Sequence, residues 1–141
     1  MQNDLFRDIT ALGGLPVYAL VTCLMLFENW DFGLMLVYAV VICYLLTIII
    51  RTCYYKERPK PRNHTNFIEK LDASSFPSLH SMRATVLALF LGVLFVHPVQ
   101  RLFLAICWIA ACISRVELDK HDFKDVIGGV FLGILIVLGL W

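Results

Sequence analysis

Apolar residues fall in five long blocks, and polar residues collect between them. The blocks run from about Thr10 to Phe27, Phe32 to Ile50, Ser78 to Val96, Val99 to Ile113 and Asp125 to Trp141. A helix that crosses a bilayer needs about 20 residues, within a range of about 17–25. The first two blocks meet that length outright. The last three meet it only with their polar ends included, and those ends hold His80 and Arg83, Ser114 and Arg115, and His121 and Asp125. Ionisable groups are costly in lipid, so they imply a wet pocket inside a bundle. The pattern predicts an all-α integral membrane bundle of about five transmembrane helices, forming one domain over residues 1–141.

The connections sharpen this. Residues 28–31 (ENWD), 97–100 (HPVQ) and 116–124 (VELDKHDFK) are short links between antiparallel neighbours. Residues 51–77 form one long polar loop. Pro59, Pro61 and Pro77 exclude a continuous helix there, and a loop of this length is usually functional or disordered. Threading five helices puts the N-terminus, the long loop and the 116–124 loop on one face. Every Lys and Arg except Arg101 lies toward that face, which positive-inside reasoning makes cytoplasmic.

Composition agrees with a membrane protein. The chain is 60% hydrophobic, where soluble domains are nearer half apolar, and its mean hydropathy is +0.77. A formal net charge of +1 leaves no basic surplus for a nucleic-acid partner. Of the five cysteines, Cys23, Cys43, Cys107 and Cys112 lie inside apolar runs and read as small hydrophobes. Cys53 adds no metal or redox spacing, so all five read as free thiols. The N-terminus lacks a basic leader region, so no cleaved signal peptide is expected.

The candidate chemistry gathers on one face. It comprises Arg51 and Arg58-Pro59, then Pro77-Ser78-Leu79-His80, then Ser114-Arg115 through His121 to Asp125. Arg51, Arg58 and Arg115 offer planar, permanently charged forks that match phosphate oxygens. Pro77 suits the first turn of a helix, whose free N–H groups bind anions. Ser78 adds a hydroxyl. His121 and Asp125, four residues apart, share a helix face. The carboxylate can fix the imidazole tautomer and leave the other nitrogen free to attack. His80 can then protonate a leaving oxygen. No carboxylate cluster is present to hold a metal, and no cofactor is expected.

These residues resemble the type 2 phosphatidic acid phosphatase superfamily, membrane lipid-phosphate phosphatases related to vanadium haloperoxidases. The family signature has three parts: Lys-x6-Arg-Pro, Pro-Ser-x-His and Ser-Arg-x5-His-x3-Asp. PSLH at 77–80 and SRVELDKHDFKD at 114–125 match every fixed position of the last two. The first part reads Arg51-x6-Arg58-Pro59, with arginine in place of lysine, and Lys56 is an alternative amine at a different spacing. Leu79 replaces a common glycine. The family usually has six spanning helices, so five suggest one missing, with a changed lipid entry side or a homodimer. The resemblance covers about residues 8–141. It implies His121 as nucleophile forming a phosphohistidine, Asp125 as its orienting partner and His80 as acid. It places Arg51, Arg58, Ser78 and Arg115 on the phosphate. The implied substrate is a lipid phosphate or diphosphate in the bilayer. The minimal bundle, with no large extra domain, suits a polyprenyl diphosphate best, with phosphatidic acid or phosphatidylglycerophosphate as the alternative. A lipid phosphotransferase is a further variant.

Other readings compete at several positions. Arg83, one turn beyond His80, either contacts substrate or pairs with Asp72 or a headgroup. Arg51 could be an interfacial anchor, and Asp125 a charge favoured by the helix dipole. Lys60, Arg62, Lys70, Lys120 and Lys124 read as headgroup-facing charges, and His64 and His97 as bystanders. Gly128, Gly129 and Gly133 suggest close helix packing. A non-enzymatic lipid-phosphate-binding protein, a histidine-bridged haem protein and a serine hydrolase on Ser78 are the rival classes.

Overall fold

The computed structural model describes residues 2–60 and 65–141, with the side chains of residue 6 and of residue 8 onward. The expectations for Pro61, Arg62 and His64 lie outside the described residues. Among the described residues seven helices follow in order: α1 Gln2–Ala11, α2 Leu15–Glu28, α3 Trp30–Cys53, α4 Phe67–Ala73, α5 Leu79–Leu94, α6 Pro98–Glu117 and α7 Phe123–Leu140. No strand occurs among the described residues.

The five apolar blocks become α2, α3, α5, α6 and α7. Of these, α3, α6 and α7 are long and apolar enough to cross a membrane by themselves, while α2 and α5 are shorter apolar helices. The first block therefore departs from the expectation that it spans outright. Its start is broken: Thr10 belongs to α1, Gly14 is the extended N-cap of α2, and Pro16 sits in the first turn of α2. Proline fits that position because its missing N–H would be unsatisfied there anyway.

Helix α5 is the central element. It packs against α3, α6 and α7, and it buries Met82, Val86, Leu87 and Phe90. These meet Tyr18, Phe32, Leu36 and Ile136 in the apolar core. Phe32 and Phe90 stack edge to face at 5.2 Å between centroids, an arrangement worth about 0.5–1.5 kcal/mol beyond area burial. The Tyr18 hydroxyl donates to the Leu36 carbonyl at 2.8 Å, so its burial leaves no unpaired polar group. Close approach of α5 and α7 depends on glycine. A Cβ at Gly129 would collide with the Ser78 carbonyl, and one at Gly133 would lie 2.8 Å from the Met82 carbonyl. That contact seats the start of α7 beside the start of α5.

Outside and inside are inverted relative to a water-soluble protein. Leu24, Phe27, Leu45, Ile48, Phe103, Phe131 and Leu138 are exposed, as lipid-facing side chains are. Arg51, His80, Arg83, Arg115, His121 and Asp125 are buried. All six lie at one end of the bundle: the C-terminal ends of α3 and α6, the loop after α6, and the first turns of α5 and α7. At the opposite end His97 caps α6, its Nδ1 accepting from the Val99 N–H.

Candidate active site

The long loop folds back on itself. The Ser75 N–H donates to the Lys56 carbonyl at 2.7 Å, and the Lys56 N–H donates to Ser74 Oγ at 3.3 Å. Ser75 Oγ donates to the Glu57 carbonyl, and the Lys60 N–H reaches Asp119 O in the 118–122 loop. Ser74 and Ser75 are fully buried. The segment before α5 is thus tied to the segment after α3, and Asn66 caps the short α4 between them. Phe76–Pro77 is a cis peptide bond.

Ser78 is the N-cap of α5, so the helix opens at Leu79 and Pro77 lies just before the cap, outside the first turn expected of it. Its Oγ lies 3.0 Å from Ser81 Oγ and accepts from the Ser81 N–H, a bond that N-cap serines make to the otherwise unpaired first turn. The Ser78 N–H donates to the Asp125 carbonyl at 3.0 Å. The second and third motifs are therefore joined through the backbone. Leu79, the variable position, is half-buried against the core.

Helix α7 opens with a capping box. Asp122 accepts from the Asp125 N–H, and Asp125 Oδ2 accepts from the Asp122 N–H at 3.1 Å. Asp125 is thus both a helix-start charge and a buried neighbour of His121: Oδ2 lies 3.8 Å from His121 Nδ1. That separation is longer than a hydrogen bond, and His121 Nδ1 has no hydrogen-bond partner. His121 sits in the loop before α7, 3% exposed. Burial, then the positive charges of Arg115, Arg58 and Arg51, push its pKa down to about 3. That shift keeps the imidazole neutral at physiological pH.

The cations divide into distinct positions. Arg51 donates to the Leu71 carbonyl at 2.9 Å and the Pro77 carbonyl at 3.0 Å, so it clasps both sides of the long loop. Arg58 bonds the Asp72 carbonyl and approaches the Asp72 carboxylate at 4.0 Å. Arg83 does not pair with Asp72. It donates to the Tyr44 hydroxyl at 2.8 Å and to the Gly13 carbonyl at 3.5 Å, because its place on α5 faces α3 and the α1–α2 junction. Arg115 donates to Thr10 Oγ1 at 3.1 Å and lies within electrostatic reach of both histidines. The Nε atoms of Arg51, Arg83 and Arg115 are buried without a protein partner. Ser114 is turned away, donating to Ala111 O within α6.

Lys56 sits elsewhere than on a phosphate position. Its Nζ contacts Asp122 Oδ1 and Oδ2 at 2.9 and 2.7 Å and Asp125 Oδ1 at 2.6 Å. Burial opposes its charge, but the hydrogen bonds to Asp122 and Asp125 outweigh it and raise its pKa above the ordinary lysine value. The same bond from Lys56 lowers the pKa of Asp122.

The α1–α2 junction supplies contacts that motif reading missed. Thr10 Oγ1 lies 3.5 Å from His80 Nε2. A Cβ on Gly13 would sit 2.5 Å from that same nitrogen. The visible signal was the Gly13-Gly14-Leu15-Pro16 interruption of an otherwise apolar block. Lys60, Lys70, Lys120 and Lys124 are exposed. Among the described residues no group of three His, Cys, Asp or Glu side chains is placed to hold a metal ion.

Comparison with known proteins agrees with this arrangement. The PAP2 superfamily profile matches residues 17–141. The chain is also similar to a crystal structure of a transmembrane PAP2-type phosphatidylglycerolphosphate phosphatase from Bacillus subtilis. The TM-score is 0.74 at 28% identity, covering 99% of this chain and 74% of that one. A multi-pass bundle with its buried histidines and arginines at one end, matched over most of its length, places the chain in the PAP2 superfamily as an integral membrane lipid phosphatase.

Proposed function

We propose that the protein hydrolyses a lipid phosphate or diphosphate through a phosphohistidine on His121, without a metal ion. The observation that carries this is the pair of buried guanidinium Nε donors on Arg51 and Arg115, which lack protein acceptors near a neutral, buried His121. Phosphoryl oxygens would satisfy such donors and take up the charge of the transition state. Arg51, Arg58, Arg115 and Ser78 bind the phosphate in this reading, and Arg83 reaches it through the Nε that its other bonds leave open.

The chemistry balances in two steps. His121 Nε2 attacks phosphorus, the bond from phosphorus to the leaving oxygen breaks, and His80 gives that oxygen a proton. Water then attacks the phosphohistidine. Its proton passes to His80, the P–N bond breaks, and inorganic phosphate leaves. Asp125 Oδ2 lies 3.8 Å from His121 Nδ1 and would hold the Nδ1–H in the reacting complex, where catalytic hydrogen bonds tighten.

The lipid chain would leave the site along an apolar cleft of about 250 Å³, lined by Leu12, Val17, Ala84, Leu87, Phe103 and Trp108. Leu12 adjoins Gly13, and Ala84 lies one turn beyond His80, so the cleft starts at the site. We favour the single chain of a polyprenyl diphosphate as its occupant. The second reading is phosphatidylglycerophosphate, favoured by the likeness to the Bacillus subtilis enzyme. The test is phosphate release in detergent with EDTA from a polyprenyl diphosphate, phosphatidic acid and phosphatidylglycerophosphate, beside His121→Ala. Release that survives EDTA and vanishes in the variant is expected, and the rates rank the lipids. Release that His121→Ala retains would overturn the phosphohistidine.

A further inference from the structure

We propose that Lys56 is a positioning residue for the His121–Asp125 pair, holding the Asp125 carboxylate so that one oxygen faces the imidazole. The inference rests on the reading of His121 as nucleophile. An ammonium has three N–H donors. Those of Lys56 meet three carboxylate oxygens at 2.6–2.9 Å, which leaves none for a phosphate. The alternative in which Lys56 replaces the usual motif lysine on the substrate is therefore disfavoured by its own hydrogen bonds.

The two Asp125 oxygens have separate partners. Oδ1 takes Lys56 Nζ. Oδ2 takes the Asp122 N–H and points at His121 Nδ1. Asp125 is fully buried, and a buried carboxylate without a cation is costly. Lys56 meets that cost and also fixes the carboxylate's rotation. The lysine is itself held at both backbone ends, by Ser74 Oγ on its N–H and the Ser75 N–H on its carbonyl. Arg51 cannot take its place, because its terminal nitrogens are engaged with Leu71 and Pro77. The groups facing His121 are then Arg51, Arg58 and Arg115 as cations and Asp125 as the anion. With Lys56 gone, Asp125 is free to turn toward that cluster and away from the imidazole.

The test is steady-state phosphate release by wild type, Lys56→Met, Lys56→Arg and His121→Ala, with inhibition by vanadate measured on wild type and the two Lys56 variants and folding checked by thermal melting in detergent. Lys56→Met should lower kcat by about 10²-fold, the scale of a 1 Å misplacement, while KM and the vanadate inhibition constant stay near wild type. Lys56→Arg should restore most of kcat, since its fork can reach both carboxylates. A parallel weakening of vanadate would make Lys56 a phosphate ligand and overturn the proposal. Unchanged kcat in Lys56→Met, or no rescue by arginine, would overturn it too. If Lys56→Met does not fold, Lys56→Gln carries the same expectations. Inactive wild type, or active His121→Ala, would instead sink the phosphohistidine reading.

Discussion

The two histidines sit in differently built halves of one site. Around His121 the neighbours are carboxylates and their counter-ion: Asp125 at 3.8 Å, with Asp122 and Lys56 behind it. Around His80 they are a hydroxyl and a glycine, Thr10 at 3.5 Å and Gly13 in contact, with Arg83 and Arg115 nearby. A nucleophile needs a carboxylate to hold one nitrogen and a field that keeps the ring neutral. A proton donor needs open access to the leaving oxygen and no carboxylate to compete for its proton. The division of partners is consistent with the roles proposed for the two histidines, and Arg115 lies within electrostatic reach of both.

The largest break is expected on the His121 side. His121→Ala should lower kcat by about 10⁴-fold or more, the scale of losing a covalent nucleophile. A single-turnover assay with labelled substrate should trap phosphoenzyme in wild type and none in the variant. On the other side Gly13→Ala should cost about 10²-fold in kcat, because the new methyl would meet His80 Nε2 at 2.5 Å and displace the ring. Folding, read by melting temperature, should change little by comparison.

Stability against pH tests the burial of His121. His121 has a folded pKa of about 3 against an ordinary value of about 6.5. The unfolded chain therefore binds more protons between those values. The neutral-ring contribution is fully present above about pH 6.5 and is lost as pH falls toward 3. Melting temperature in detergent should drop through that window, and His121→Asn should remove part of the drop. The Lys56–Asp122 pair acts in a lower window, since the lowered Asp122 pKa releases its contribution only below the ordinary aspartate value. A profile identical in wild type and His121→Asn would show that His121 is not the titrating group.

How much of this was legible in the sequence differs between the same two halves. His121, Asp125 and Arg115 lie in one contiguous motif, and a helix-start spacing fixes their relation locally. The Asp122–Asp125 capping box was equally readable, because such boxes have a three-residue spacing. Lys56 could be noticed but not placed. Its partners lie 66 and 69 residues away, and its position follows from the loop folding back through Ser74 and Ser75. Thr10 and Gly13 were hidden for a plainer reason. They fall at the edge of an apolar block that reads as one spanning helix, and only the break at Gly14 and Pro16 turns that edge over His80. Hydrophobic pattern located the bundle, but it could not say which end of the first block folds across the site.

The smallest expected effect tests whether that fold-over matters chemically. Thr10 Oγ1 accepts from Arg115 Nη1 at 3.1 Å and lies 3.5 Å from His80 Nε2. A threonine hydroxyl there can steady the guanidinium and the imidazole at once. Thr10→Val keeps the shape and removes the bond, which is worth about 1–3 kcal/mol when one partner is charged and buried. Part of that loss is offset when a phosphate oxygen takes the freed Arg115 donor. The expected outcome is a kcat/KM lowered by about tenfold, with Thr10→Ser close to wild type because it restores the hydroxyl. Equal activity in all three proteins would mean that the α1–α2 junction only covers the His80 half. A loss in Thr10→Val that serine rescues would mean that the hydroxyl, supplied from outside all three motifs, helps to set the geometry of the acid.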